Sequence, residues 1–159
     1  MKRRAAGMMM MLAPWLAAAA GAPQSLGQFG RWGAFRAGDP VRCYAIAQPA
    51  RSGKADAAFL TISSWPARRL FRQVHVRLRG AAEPGAVLAI GERRFPLVTK
   101  EADGWPSAGD GRRIALFLRE GEAVRVTARI RGRRITDVYP GAGAASAIDA
   151  ADLACLRGR

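Results

Sequence analysis

The sequence predicts a mainly β domain, an antiparallel β-sandwich or partly open barrel with one or two short helices and a single disulfide. Three observations predict it. Residues 73–79 and 124–130 alternate apolar and polar side chains with the period of a half-buried strand. Short runs of β-favouring residues recur between clusters of Gly, Pro and Ser along most of the chain. The two cysteines, Cys43 and Cys155, lie near opposite ends of this region, where one cross-link would close nearly all of it and restrict the unfolded state strongly.

The amino-terminal stretch stands apart from that domain. Lys2, Arg3 and Arg4 precede an apolar run over residues 8–20, and Ala18, Ala19, Ala20, Gly21 and Ala22 supply small residues for a signal peptidase. A signal peptide over residues 1–22 is expected, with cleavage after Ala20 or Ala22. The apolar run falls short of the roughly 20 residues that span a bilayer, which argues against an uncleaved anchor. Export to the periplasm or beyond follows, and no transmembrane span is expected after processing. In an oxidising compartment Cys43 and Cys155 read as a structural disulfide. Two buried thiols or a metal site are the rival readings, and the metal reading lacks a Cys-x-x-Cys pair and has only one histidine to draw on.

Each further element has its own signal. Residues 23–31, rich in Gly, Pro, Ser and Gln, read as a flexible arm, with a single domain over residues 32–159. Residues 41–47 and 59–65 read as strands. In residues 73–79, Val74, Val76 and Leu78 oppose Gln73, His75, Arg77 and Arg79. Residues 87–90 and 93–98 flank Gly91-Glu92, a two-residue hairpin turn whose glycine supplies the positive φ and which sets Leu88 opposite Phe95. Pro96 has no amide to donate, so its strand belongs at an edge. Residues 100–111 read as a polar loop interrupted by Trp105. Residues 112–120 fit strand and helix periods alike and are read as a short helix stopped by Gly121. Residues 124–130 are the clearest strand, turned at Gly132 into residues 133–139. Ser146 with Asp149 three residues on reads as a capping box for a last helix. Ile148, Ala151 and Cys155 share one face of that helix, which aims the cysteine at the body.

The formal charge is +14, and removing Lys2, Arg3 and Arg4 lowers 26 basic residues to 23 against 12 acidic, a net +11. Nearly all of it is arginine. A GC-rich genome also produces such a bias, so part of the charge is compositional. Outside the cytoplasm no nucleic-acid partner is expected. The natural partners are anionic lipid headgroups, phosphates of lipopolysaccharide, acidic polysaccharide, or a protein. The candidate surface comprises Arg125, Arg129, Arg131 and Arg133 on the carboxy-terminal hairpin, with Arg77 and Arg79 on an earlier strand. Arginine forks suit phosphate and carboxylate because they bond both oxygens at once.

Catalytic signals are absent. His75 has no nucleophile or carboxylate near it in sequence and reads as a solvated surface histidine. There is no Gly-x-Ser-x-Gly elbow, phosphate-binding glycine loop or His-Glu-x-x-His. Gly141-Ala142-Gly143-Ala144 lacks the third glycine of a dinucleotide fingerprint. Asp149 and Asp152 are explained by helix capping and the macrodipole, and Glu101, Asp103 and Asp137 read as ordinary polar residues. No catalytic residue, metal or cofactor is predicted.

The order of motifs carries more than any one of them. Trp32-Gly33 leads to Val41-Arg42-Cys43-Tyr44, then to Gly91-Glu92-Arg93-Arg94-Phe95. A closing stretch follows, with Gly132, Thr136-Asp137-Val138-Tyr139, Ala145-Ser146-Ala147-Ile148-Asp149 and Cys155. Over nearly all of the chain beyond the leader this resembles the invasion-associated locus B family of exported bacterial proteins. Their late hairpin pattern, Gly-x-x-x-x-Asp-x-Tyr, is matched by Gly132, Asp137 and Tyr139. The chain departs from that pattern in its arginine content and in Tyr139-Pro140-Gly141. The resemblance implies a compact β-rich domain at the periplasm or surface of a Gram-negative cell, with no enzyme activity, cofactor or catalytic residue. The expected function is a non-enzymatic envelope protein that binds an anionic envelope component or a protein partner. The alternatives are a surface-displayed host-interaction factor and an enzyme of envelope polymers.

Overall fold

The computed structural model describes residues 22–51 and 58–156. Residues 1–21 of the expected signal peptide lie outside the described residues. The described residues are mainly β, as the sequence predicts, and form two open antiparallel sheets with two α-helices. The larger sheet contains β1 (Gln24–Phe29), β2 (Trp32–Ala37), β3 (Arg42–Ala47), β4 (Phe59–Trp65), β5 (Leu70–Arg77), β8 (Val98–Lys100) and β9 (Asp103–Trp105), in the order β1-β2-β3-β4-β5-β9-β8. The smaller contains β6 (Val87–Ile90), β7 (Arg93–Pro96), β10 (Val124–Ile130) and β11 (Arg133–Tyr139), in the order β11-β10-β6-β7.

The sheets are joined by Ala50 N, just past β3, donating to Val138 O of β11 at 2.7 Å. Leu78 N donating to Ala102 O at 2.7 Å continues the β5–β9 pairing, and Leu97 N donating to Ala86 O at 2.9 Å continues the β6–β7 hairpin. The inner faces supply one core, with Leu60, Val76, Leu88, Ile90 and Val124 fully buried. The hairpin about Gly91 pairs Leu88 with Phe95, both buried, and β7 with its Pro96 is an edge strand.

Helix α1 (Ala108–Arg119) packs on β5, and α2 (Ala144–Leu156) packs across β1 to β4. Small side chains make the second contact close: Ala34, Ala45 and Ala47 on the strands meet Ala144, Ala147, Ile148 and Ala151 on the helix. The glycine run before α2 is explained by packing against two neighbours, the segment after α1 and β1. A Cβ on Gly141 would stand 2.2 Å from Gly121 O, and one on Gly143 would stand 2.0 Å from Phe29 O. Cys155, on the buried face of α2, is bonded to Cys43 of β3 with Cα atoms 5.8 Å apart. The cross-link spans 112 residues of sequence.

Four expectations need correction. Residues 23–31 do not form a flexible arm: Gln24–Phe29 pairs with β2 in a register that shifts once, between Ser25 and Gly27, and α2 covers it. Residues 100–111 are not a loop: β8 and β9 pair as a hairpin, and α1 has already begun at Ala108. The strand expected over 93–98 breaks at Leu97, where the chain leaves one sheet for the other. Finally, Ser146 is not a cap, because α2 starts at Ala144 and runs through it. The serine cap belongs to α1. Ser107 Oγ accepts from Asp110 N at 3.1 Å and donates to the Asp110 carboxylate at 2.8 Å.

Candidate functional site

The outer face of the smaller sheet gathers arginines by register. The two-residue turn at Arg131-Gly132, with φ of 51° and 74°, sets Arg129 opposite Arg134 and Thr127 opposite Thr136. The turn at Gly91-Glu92 sets Ala89 opposite Arg94, and β6 lies against β10 so that Arg125 is opposite Ala89. Directly opposed residues point to the same face. Arg94, Arg125, Arg129 and Arg134 therefore share one surface with Thr127 and Thr136, whose hydroxyls share a hydrogen bond of 2.9 Å.

A depression of about 360 Å³ lies at this place, lined by Arg94, Arg125, Arg134 and both threonines, with the single carboxylate of Glu92 on its wall. Arg125 is steadied by donating from Nη2 to Gly91 O at 3.1 Å. Arg129 stands 3.9 Å from Glu83 and is 63% exposed, too loose a pair to occupy its fork. Among the described residues no carboxylate bonds Arg94 or Arg134. The arrangement offers several cationic forks around two hydroxyls, which suits an oxyanion with several acceptor oxygens.

Only part of the predicted surface belongs to this site. Arg125 and Arg129 lie on it. Arg131 occupies the turn, and Arg133 is paired with Ile130, on the opposite face of the hairpin from Arg134. Arg77 and Arg79 are engaged elsewhere. Arg77 Nη1 lies 2.6 Å from Asp103, and Arg79 bonds both oxygens of Asp137, a buried carboxylate. Asp137 is thus a buried ion-pair partner rather than an ordinary polar residue.

The missing members were Arg94 and Arg134. Counting outward from the two hairpin turns places them beside Ala89 and Arg129. What local pattern does not contain is the pairing of β6 with β10, strands that lie far apart in the sequence.

His75 also departs from its expected solvated state. Its Nε2 lies 2.8 Å from Asp103 Oδ1, its ring stacks on Trp105 at 5.2 Å, and Phe59 meets it edge-on at 5.6 Å. Asp103, distant in sequence, is delivered by β9 pairing to β5. The same face holds Arg42 between the rings of Tyr44 and Trp65, at 4.3 and 5.1 Å, with Nη2 donating to Ser63 Oγ at 2.9 Å. Partial burial lowers the Arg42 pKa, and Tyr44 opposes that shift. Trp32 instead sits in the core and donates from Nε1 to Pro140 O at 2.7 Å.

The remaining carboxylates are held as well. Asp149 pairs with Arg119 of α1 and Asp152 with Arg72, so both tie elements together. Neither serves as a cap. Among the described residues no three His, Cys, Asp or Glu side chains are grouped to hold a metal, and no helix is long and apolar enough to cross a membrane. A cleft of about 750 Å³ shares no lining residue with the arginine face. Comparison with family models, with curated proteins and with solved structures finds no match for this chain.

Proposed function

We propose that this chain is an exported, non-enzymatic protein of the bacterial cell envelope that holds an anionic group of an envelope lipid or polysaccharide on the outer face of its smaller sheet. The observation that carries the reading is the meeting of Arg94, Arg125, Arg129 and Arg134 around the Thr127–Thr136 hydroxyl pair. Such forks bind phosphate or carboxylate through paired, charge-assisted hydrogen bonds. The Cys43–Cys155 disulfide accords with an oxidising compartment. The motif order resembling the invasion-associated locus B family points to the same location. Support for a non-enzymatic role comes from the aspartates, since Asp137, Asp149 and Asp152 are each engaged by arginine, and Asp103, which meets His75, is also held by Arg77.

Co-sedimentation of the oxidised protein with purified envelope fractions across a salt series tests the proposal. Retention at low salt and release at high salt is expected, because exposed charges are screened beyond a Debye length of about 10 Å at 0.1 M. Neutralising Arg94, Arg125 and Arg134 together should abolish retention while leaving the unfolding midpoint nearly unchanged. Retention that survives this triple change would overturn the assignment of the face.

A further inference from the structure

The large cleft has a chemistry unlike that of the arginine face. It lies between α1, α2 and the start of β5, beside the short 3-10 turn Pro66–Arg68 that carries the chain from β4 to β5. Each helix turns its buried stripe to the core, Ile114, Ala115 and Leu118 on α1 and Ala147, Ile148, Ala151 and Cys155 on α2. Leu116 and Leu156 lie off those stripes. They remain 52% and 57% exposed, and with Phe71 at 46% they line the cleft. These are three of the eight large apolar side chains left exposed on the described surface, and a concentration of that kind marks a binding region.

The polar groups of the floor are already satisfied by one another. Arg72 Nη2 lies 2.9 Å from Asp152 Oδ2, and Ser64 Oγ accepts from Arg72 N at 3.1 Å while donating to Asp152 at 3.4 Å. The lining therefore offers few hydrogen bonds to a peptide backbone. A saturated chain asks for none. A volume of about 750 Å³ is in the range of small-molecule pockets. A second hollow, lined in common by Pro66, Phe71 and Cys155, continues the space toward Val41, with Arg69 and Asp39 at its edge.

The rim is cationic. Arg112 and Arg113 stand on it from α1, and Arg69 borders the continuation. Arg113 shares Asp110 at 3.3 Å, while no carboxylate among the described residues bonds Arg112 or Arg69. An apolar trough with a positive rim complements one class of ligand, an alkyl chain ending in an anion. We infer that this cleft binds a single-chain anionic amphiphile in monomeric form, a long-chain carboxylate in its simplest case, with the chain along Phe71, Leu116 and Leu156 and the head at Arg112. The inference stands independently of the arginine face.

The test is titration of the oxidised full chain with saturated carboxylates of eight, ten and twelve carbons, below micelle formation, followed by calorimetry. Affinity should rise about fifteenfold for each pair of methylenes, the gain expected of a chain that is buried as it lengthens. A trimethylammonium amphiphile of equal chain length should bind at least about tenfold more weakly, because its head meets like charge. Leu116→Glu and Phe71→Ser, both at exposed positions, should each weaken the carboxylate at least about tenfold, and Arg112→Ser should erase the preference for the anionic head. Arg125→Ser should change nothing, which separates this site from the proposed envelope-binding face. Affinity independent of chain length would overturn the inference. So would absence of binding, or a dimer that Leu116→Glu dissolves and carboxylate does not, since the cleft would then be filled by protein.

Discussion

Arg79 grips both carboxylate oxygens of Asp137, with Nε at 2.9 and 3.1 Å and Nη2 at 2.6 Å from Oδ1. Arg79 follows β5 of the larger sheet and Asp137 lies on β11 of the smaller, so the pair ties the two sheets. The carboxylate side chain is 8% exposed and the arginine 21%. Truncating one partner of such a pair leaves the other charge poorly solvated. Asp137→Ala should therefore lower stability by about 2 to 3 kcal/mol, less than for a fully buried pair because the guanidinium still reaches water. Urea unfolding of the oxidised protein measures it. A loss below about 0.5 kcal/mol would show that the tie contributes little.

The disulfide acts mostly on the unfolded chain. Its partners are 112 residues apart, a loop for which the chain-entropy relation gives about 4 to 5 kcal/mol. Replacing Cys43 and Cys155 together by serine should remove a comparable amount, measured by guanidinium unfolding. The last turn of α2 should lose amide-exchange protection before the centre of β4, because the cross-link holds that turn against β3. Uniform loss of protection would mean that helix and sheet unfold as one unit.

Much of the fold was legible because alternation and turn residues are local. Residues 59–65, 87–90, 124–130 and 133–139 form strands over the bounds their patterns set, and the Leu88–Phe95 pairing follows from one glycine turn. Residues 23–31 misled because a Gly- and Gln-rich strand carries little hydrophobic pattern. Its place is decided by β2 beside it and α2 above it. The site was legible only within each hairpin. Arg129 and Arg134 could be matched by counting from Gly132, whereas the union of Arg94 with Arg125 depends on strands that meet only in the folded sheet. Similarly, Asp103 reaches His75 through a non-local pairing, and the sequence around the histidine contains no sign of it.

Capping gives a direct comparison between two serines. Ser107 bonds the amide of Asp110 at the start of α1, whereas Ser146 lies exposed within α2, after its first residue at Ala144. Ser107→Ala should cost about 1 kcal/mol, the usual loss for an N-cap hydroxyl. Ser146→Ala should stay within about 0.5 kcal/mol of the parent, as surface changes do. Thermal unfolding of the two variants beside the parent checks both values, and equal losses would contradict the assignment of the cap.

Tyr139 should make stability fall at alkaline pH. Its side chain is fully buried, and its hydroxyl has no hydrogen-bond partner among the described residues. Burial raises its pKa well above the ordinary value of 10.0; the nearby Asp137 carboxylate adds to the shift, and Arg79 opposes it. The folded state therefore disfavours tyrosinate, while the unfolded chain ionises near 10. The sign follows from that difference. The contribution is fully present below pH of about 10 and declines above it by about 1.4 kcal/mol per pH unit until the folded-state value is reached. Tyr139→Phe should remove this part of the alkaline slope. At neutral pH the same variant should be unchanged or up to about 1 kcal/mol more stable, because it deletes a buried polar group that makes no bond. Urea unfolding of parent and variant between pH 7 and pH 11 isolates the residue as the difference of the two slopes. An identical alkaline decline in both proteins would assign it to other groups, and a large loss at neutral pH would mean that the hydroxyl is bonded after all.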